Sequence, residues 1–346
     1  MNNLIELFKK IRRKHRFHAG YHSTYAFIGA GNHSINNLYP AIQYLHIPLK
    51  YIVVRSCETA NLINKSQWGI RATADLESVL NDTEINGIFI CATPDSHYGL
   101  VKKCLLHKKN VFVEKPPCKT TGELNDLIDT EKTSGKMCLA GLQKRYSSCV
   151  NILKKQLNPN HIISYNYRFI LGVYPEGNTL WDLYIHPVDL ITFLFGETQL
   201  LSVAETQSSK SANSIFLQTK HDKIVGQIEI STQYSWNQPM EFLSVNTEKG
   251  VYTLKNHQSL TFEPKSAPVL SIPREKIFHT VPEKKYLFNG NNFLPVFENN
   301  PIVSQGYFTE IKAFVNICEN RKSKNLSSLS SLMNTYELLT KIEKHV

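Results

Sequence analysis

No apolar run in the 346-residue sequence approaches the roughly 18–20 residues that a membrane-spanning helix needs. Its start also lacks the continuous apolar segment of a secretory signal. The two absences together point to a cytoplasmic chain. The seven cysteines (57, 91, 104, 118, 138, 149 and 318) are odd in number and form neither a C-x-x-C pair nor a tight cluster with histidine. That argues against a disulfide framework and against a structural zinc site, so no metal is expected and the thiols read as reduced and mostly buried. There is no internal repeat and no low-complexity tract. With 42% hydrophobic and 20% charged residues, neither disorder nor a coiled coil fits.

Acidic residues are the scarcer sign of charge: 29 Asp and Glu face 39 Lys and Arg, for a net +10. Such an excess invites a nucleic-acid or membrane partner, but its distribution speaks against that for the whole chain. Residues 1–17 hold Lys9, Lys10, Arg12, Arg13, Lys14 and Arg16 against Glu6 alone, so half of the net charge sits there. The remainder is ordinary for a soluble enzyme, and no nucleic-acid partner is expected of it. Within the basic segment, Leu4, Leu7, Phe8 and Ile11 form one helical stripe. Such a helix packs on its own protein or a partner subunit, or else makes weak contact with an anionic membrane surface. Scarce Ser and the presence of Glu6 make an organellar presequence a weaker reading.

What is present is organised. The length suits about two domains. From Tyr25 the sequence alternates short apolar runs (25–28, 51–54, 88–92, 111–113) with helix-compatible stretches, the mark of a parallel sheet buried on both faces. After Tyr146 the pattern changes. Runs at 162–170, 215–218, 224–232 and 242–254 are rich in β-branched and aromatic residues, with polar turns between them. They predict a largely antiparallel sheet, open on one face or covered by a few helices. The stretch 264–303, with six prolines, reads as irregular connection, and two apolar stripes after Tyr307 as helices. The expected fold is therefore α/β: an N-terminal Rossmann-type doubly wound parallel sheet over 22–142, then a C-terminal α+β domain with a large, mostly antiparallel open sheet over 143–346. A basic amphipathic extension, 1–21, precedes both.

The motifs follow the strands. Gly29-Ala30-Gly31-Asn32-His33-Ser34 fits G-x-G-x-x-G/A except at its last position. Lying between a strand and a helix, it favours dinucleotide binding over a plain tight turn. At the end of the second strand, where NAD sites usually offer an acid, the chain has Arg55-Ser56. A guanidinium and a hydroxyl suit a 2′-phosphate, so NADP is expected in preference to NAD; a surface arginine beside a misregistered strand is the plainer alternative. Thr93-Pro94-Asp95-Ser96-His97 and Glu114-Lys115-Pro116 end later parallel strands, where open α/β sheets bind ligands.

The Gly29-x-Gly31, Ala92-Thr93-Pro94-Asp95-x-His97 and Val113-Glu114-Lys115-Pro116 series resembles the glucose-fructose oxidoreductase / inositol dehydrogenase / rhizopine-catabolism (Gfo/Idh/MocA) family. The likeness continues through Gly141–Tyr146, Trp181–Asp189 and Gly306–Glu310, and covers the chain from about residue 22 to its end. It departs at Ser34, at Gln143-Lys144 and in the thinned Gly177-Asn178. The resemblance implies an NAD(P)-dependent oxidoreductase acting on a hydroxyl or keto carbon of a sugar, cyclitol or sugar derivative. Lys115 would lie between nicotinamide ribose and substrate, and Asp182 and His186 would complete the catalytic set. Gly29, Gly31, Asn32, His33, Arg55, Ser56, Thr93, Pro94, His97, Glu114, Lys115 and Arg145 would contact the cofactor. The resemblance also suggests a cis Lys115–Pro116 bond and assembly into a homodimer or homotetramer.

The chemistry agrees with that set. Moving a hydride off an alcohol carbon leaves a hydroxyl proton that an imidazole can accept near neutral pH, while an ammonium stabilises developing alkoxide charge. Read singly, Lys115 is a surface charge, Asp182 a helix cap and His186 a satisfied core histidine; the three in family order favour catalysis. Pro187 favours a helix start near its own position, so Asp182 and His186 either share a helix face at i, i+4 or converge from a turn and a helix start. Reduction of an imine or tetrapyrrole, and non-catalytic NADP-binding regulation, are the competing functions.

Overall fold

Short apolar runs become the strands of two sheets in the structure, a computed structural model that describes residues 2–17, 20–66, 69–209, 212–278, 283–290 and 300–346. A basic helix, α1 (Asn2–Phe17), comes first. The first sheet consists of β1 (Thr24–Ile28), β2 (Leu49–Val53), β3 (Arg71–Thr73), β4 (Ile85–Ile90), β5 (Asn110–Glu114) and β6 (Cys138–Gly141), in the order β3-β2-β1-β4-β5-β6. Its central pairs are parallel, with Phe27 flanked by Ile52 and Phe89. The order reverses direction beside β1, the point where open α/β sheets bind nucleotides.

Between these strands run α2 (Tyr39–Tyr44, entered through a π-helical turn at Ser34–Leu38), α3 (Cys57–Lys65), α4 (Leu76–Asn81), α5 (Pro94–Leu106) and α6 (Thr121–Ser134). The core of this sheet is aromatic: Tyr25, Phe27, Phe89 and Phe112 are all buried. Phe314 joins them, meeting Phe89 edge-to-face at 4.9 Å. Each such side chain contributes about 1.5–3 kcal/mol by leaving water.

The second sheet follows α7 (Ser148–Gln156). Its strands are β7 (Ile162–Ile170), β8 (Gln199–Ser209), β9 (Ala212–His221), β10 (Ile224–Ser231), β11 (Met240–Thr247), β12 (Gly250–Lys255), β13 (Ser259–Pro264) and β14 (Lys285–Asn289), with α8 (Ile185–Phe195) between β7 and β8. The order β14-β13-β12-β11-β7-β10-β9-β8 is antiparallel except where β10 lies parallel to β7. Burial alternates: Tyr165, Tyr167, Leu217, Ile228, Leu243 and Val245 are covered, while Asn166, Arg168, Gln218 and Gln227 face out. The period of two puts the sheet's apolar residues on one face. Gly226 leaves room for Tyr165, whose ring would meet a Cβ there at 2.0 Å. Tyr165 in turn stacks on Phe195 with centroids 4.4 Å apart. The chain closes with α9 (Pro301–Ser304), α10 (Tyr307–Cys318) and α11 (Met333–Glu343).

The chain divides into two compact units, each assembled from several segments. The first comprises Met1–Glu114, Thr130–Leu139 and Ile311–Asn325, and the second Lys115–Asp129, Ala140–Glu310 and Leu326–Val346.

Several local readings change. The run 242–254 is a hairpin of two strands, β11 and β12. The stretch expected to be irregular contains β14 and the start of α9; Pro282 and Pro295 within it lie outside the described residues. Edge strands β3 and β8 escape the apolar-run criterion, because β3 has three residues and most of β8 is exposed. The basic segment is helical as expected, and its stripe is not covered by the described residues: Leu4, Leu7, Phe8 and Ile11 are all exposed. Met1, His18 and Ala19 of that extension fall outside the described residues.

Candidate active site

The glycine turn is built by what it omits. Gly29 has φ +112°, and a Cβ there would stand 2.0 Å from the Cys91 carbonyl oxygen, so only glycine lets the end of β1 lie against the end of β4. Gly31 is the converse: a Cβ would meet nothing within 4 Å, which leaves its backbone open to a ligand. Asn32 is exposed beside it. Ser34 is buried and its Oγ lies 3.4 Å from the Cys91 carbonyl, so the serine serves the close helix–strand approach that a smaller residue otherwise gives. His33 is half-buried, with Nε2 3.3 Å from a Glu114 carboxylate oxygen and Nδ1 2.8 Å from the Asn37 amide. These features fit a dinucleotide whose pyrophosphate lies along the turn: a cradle without side chains at the start of a helical run.

The neighbouring strand ends differ in how free they are. Arg55 is exposed just past β2, with no acid before Glu58 in the first turn of α3. Ser56 caps α3, its Oγ accepting from Thr59 N–H at 3.1 Å. Past β4, Thr93 and Pro94 begin α5 without a side-chain cap. His97 corrects an expectation: it is buried, and its Nε2 lies 3.0 Å from the Ala92 carbonyl, so the ring ties the strand end to the helix start. Glu114 is likewise buried at the end of β5.

Lys115, Asp182 and His186 all belong to the second unit. The Lys115–Pro116 bond is cis, and the Lys115 ammonium donates to the Asp182 carbonyl oxygen. Asp182 sits in a π-helical turn, Thr179–Tyr184, that runs straight into α8. Helix therefore begins well before Pro187, and of the two geometries anticipated for the pair the structure has the continuous run. From Leu180 to Thr192 every residue is buried except Asp182 and His186, four apart on one face. Pro187 has no N–H to return to the turn before it, and Asp182, in that turn, gives its carbonyl to Lys115.

The turn is capped reciprocally. Asn178 Oδ1 accepts from the N–H groups of Leu180 and Trp181 at 3.0 and 3.1 Å, and the Asn178 N–H donates to Asp182 Oδ2 at 2.9 Å. Asp182 thus serves as a cap. Sequence reasoning passed over Asn178; an Asn directly before an apolar helical run, with an acid four residues on, was the available signal. Gly177 is equally specific, since a Cβ there would stand 2.2 Å from Asp182 Oδ2. Trp181 anchors the turn from below, its indole N–H donating to Glu343 at 2.9 Å.

Arg145 departs from the cofactor-contacting role expected of it. It is 1% exposed, and its five donors are spent within the second unit. Nε and Nη2 grip Asp189 at 2.8 and 2.5 Å, Nη1 bonds the Leu326 carbonyl and Ser331 Oγ at 2.7 Å, and Nη2 also reaches the Ser331 carbonyl at 3.3 Å. No donor remains for a phosphate. Its neighbour Lys144 is buried as well and paired with Glu241, whose other oxygen accepts from the Tyr167 hydroxyl at 2.6 Å and lies 3.0 Å from His257 Nε2. Burial pushes the Glu241 carboxyl up, but His257 and Lys144 outweigh it and hold the group well below the usual carboxylate range. Burial also lowers the Lys144 ammonium.

A parallel sheet ordered about a glycine turn, followed by a larger mixed sheet, is an α/β architecture with an N-terminal sheet of the Rossmann type. Residues 23–142 match the oxidoreductase family with an NAD-binding Rossmann fold, GFO_IDH_MocA, so this segment is similar to the Gfo/Idh/MocA oxidoreductases. Among similar proteins, the uncharacterized oxidoreductase YhhX of Escherichia coli K12 is 28% identical over 138 residues, 37% of this chain and 40% of that protein. Myo-inositol 2-dehydrogenase of Thermotoga maritima is 23% identical over 144 residues, 38% of this chain and 43% of that protein. The chain thus spans about two fifths of the length of these curated relatives. A dehydrogenase (MviM) from Clostridium difficile superposes with TM-score 0.76 at 17% identity, covering 94% of this chain and 99% of that one, a likeness of fold. Among the described residues no helix is long and apolar enough to cross a membrane.

Proposed function

We propose that the protein is a cytoplasmic NAD(P)-dependent oxidoreductase that moves a hydride between nicotinamide and a hydroxyl or keto carbon of a sugar, cyclitol or sugar derivative. The observation that carries this reading is that Asp182 and His186 alone are only half-buried in an otherwise buried helical run, with Lys115 hooked onto the same turn. The similarity to myo-inositol 2-dehydrogenase supports a polyol substrate. The nicotinamide, when bound, exchanges a hydride with the substrate carbon. His186 takes the hydroxyl proton in oxidation and returns it in reduction. Lys115 stabilises the developing alkoxide, and the Lys115 bond to the Asp182 carbonyl keeps it on the face where His186 emerges. The exposed Arg55, with no acid at its strand end, favours NADP over NAD by offering a guanidinium to a 2′-phosphate.

Turnover of sugars, inositols and nucleotide sugars with both nicotinamides tests the reading. Lys115→Ala and His186→Ala should each lower kcat by about 10²–10⁴-fold while NADP(H) still binds. Full activity in either variant overturns the site assignment. Tight NADP(H) binding without turnover of any substrate makes the protein a regulator. A clear NAD preference, unchanged in Arg55→Ala, removes the NADP assignment. We place a homodimer or homotetramer contact on the outer face of the second sheet, where Phe216 and Val225 are exposed; a monomer in light scattering at micromolar concentration contradicts it.

A further inference from the structure

We propose that α1 is a docking helix for an anionic lipid surface. The helix forms over sixteen residues, Asn2–Phe17. Leu4, Leu7, Phe8 and Ile11 fall at i, i+3, i+4 and i+7 and form a single stripe. That stripe is uncovered, with each of the four side chains between 52% and 71% exposed. An apolar face of this size left in water is a face that lacks its partner.

The charge around the stripe selects the partner. Arg12, one turn beyond Phe8, borders the stripe on one side, and Lys10, one turn beyond Leu7, borders it on the other. Lys9 and Arg13 fill the opposite face. Glu6, the sole acid in residues 1–17, is already paired with Lys9 at 2.8 Å. Cations flanking an apolar stripe are the arrangement that buries Leu and Phe among acyl chains while Lys and Arg reach the headgroups. A second copy of this chain fits less well, because residues 18–346 are themselves net positive. An anionic bilayer satisfies stripe and cations together, each basic residue near the surface adding to the attraction.

Flotation of the full chain with lipid vesicles tests the proposal, and does not depend on the catalytic reading. Vesicles of phosphatidylcholine with a substantial fraction of phosphatidylglycerol should bind at least about tenfold more tightly than pure phosphatidylcholine, and 0.5 M salt should release the protein. Phe8→Glu should abolish binding through the stripe, and Arg12→Glu with Arg13→Glu through the charge. In all variants the urea denaturation midpoint should be unchanged, which shows that the body is folded. Absence of binding to anionic vesicles overturns the proposal. So does equal binding to neutral and anionic vesicles. A fall in oligomeric state on deleting residues 1–17, without vesicle binding, assigns the stripe to a partner subunit and likewise overturns it.

Discussion

At the end of β1 the chain makes a site by leaving side chains out, whereas around Arg145 it makes a support by burying charged ones. Gly29 and Gly31 act through backbone, and what each requires is settled within a few residues of sequence plus one neighbouring strand end. Arg145 and Lys144 act through partners 44 and 97 positions away, at Asp189 and Glu241. A local device of the first kind can be read from a motif. A remote one needs the fold, because the residue type is the same whether the guanidinium grips a phosphate or a carboxylate.

The largest expected effect breaks the remote device. Asp189→Ala strands a buried guanidinium and should cost about 3–5 kcal/mol in urea denaturation; a loss below about 1 kcal/mol would show that Arg145 can turn to water. The glycine pair then sharpens the contrast. Gly29→Ala should destabilise by about 1–3 kcal/mol through its positive φ and its clash with Cys91. Gly31→Ala should leave stability within about 0.5 kcal/mol, since its Cβ meets no neighbour, yet weaken NADP(H) binding measured by fluorescence titration. Equal behaviour of the two variants would refute the division of labour between them.

Asn178→Ala should cost about 1 kcal/mol as a lost cap and lower kcat more than it raises KM, because Asp182 loses its tether. An unchanged kcat would leave Asn178 a cap alone. The smallest effect in neutral buffer is the acid one. With its carboxyl held below the ordinary Glu value, Glu241 stabilises the fold above about pH 4.3. That contribution is lost as the pH falls below this value toward the folded-state pKa. Denaturation midpoints between pH 5 and pH 3 should fall more steeply in the native protein than in Glu241→Gln.

Much of the architecture was legible. The run 162–170 is β7 as read, and the apolar runs near 25, 51, 88 and 111 are parallel strands, because strands buried on both faces need continuous apolar residues. What escaped was polar or distant. β8 is exposed along most of its length, so no apolar signal marks it. Of the site residues, Lys115, Asp182 and His186 could be named from the sequence as candidates; the Asn178 cap on Asp182 had a local signal that went unread, while the path at Pro187 stayed open because its two geometries differ only in backbone. His97 and Arg145 looked like ligand contacts because both flank strand ends rich in motif residues. Burial decided otherwise.

By itself, then, the sequence determined the strand-turn-helix at Gly29, the change from parallel to antiparallel sheet near residue 146 and the amphipathic stripe of α1. These depend on periodicity and on conformations that only glycine tolerates, which are properties of neighbouring residues. Tertiary structure alone decided that Arg145 is spent on Asp189, that Asp182 and His186 are the two half-buried positions of a buried run, and that the α1 stripe lies bare. Burial and pairing depend on what the rest of the chain brings alongside, and no local pattern carries that information.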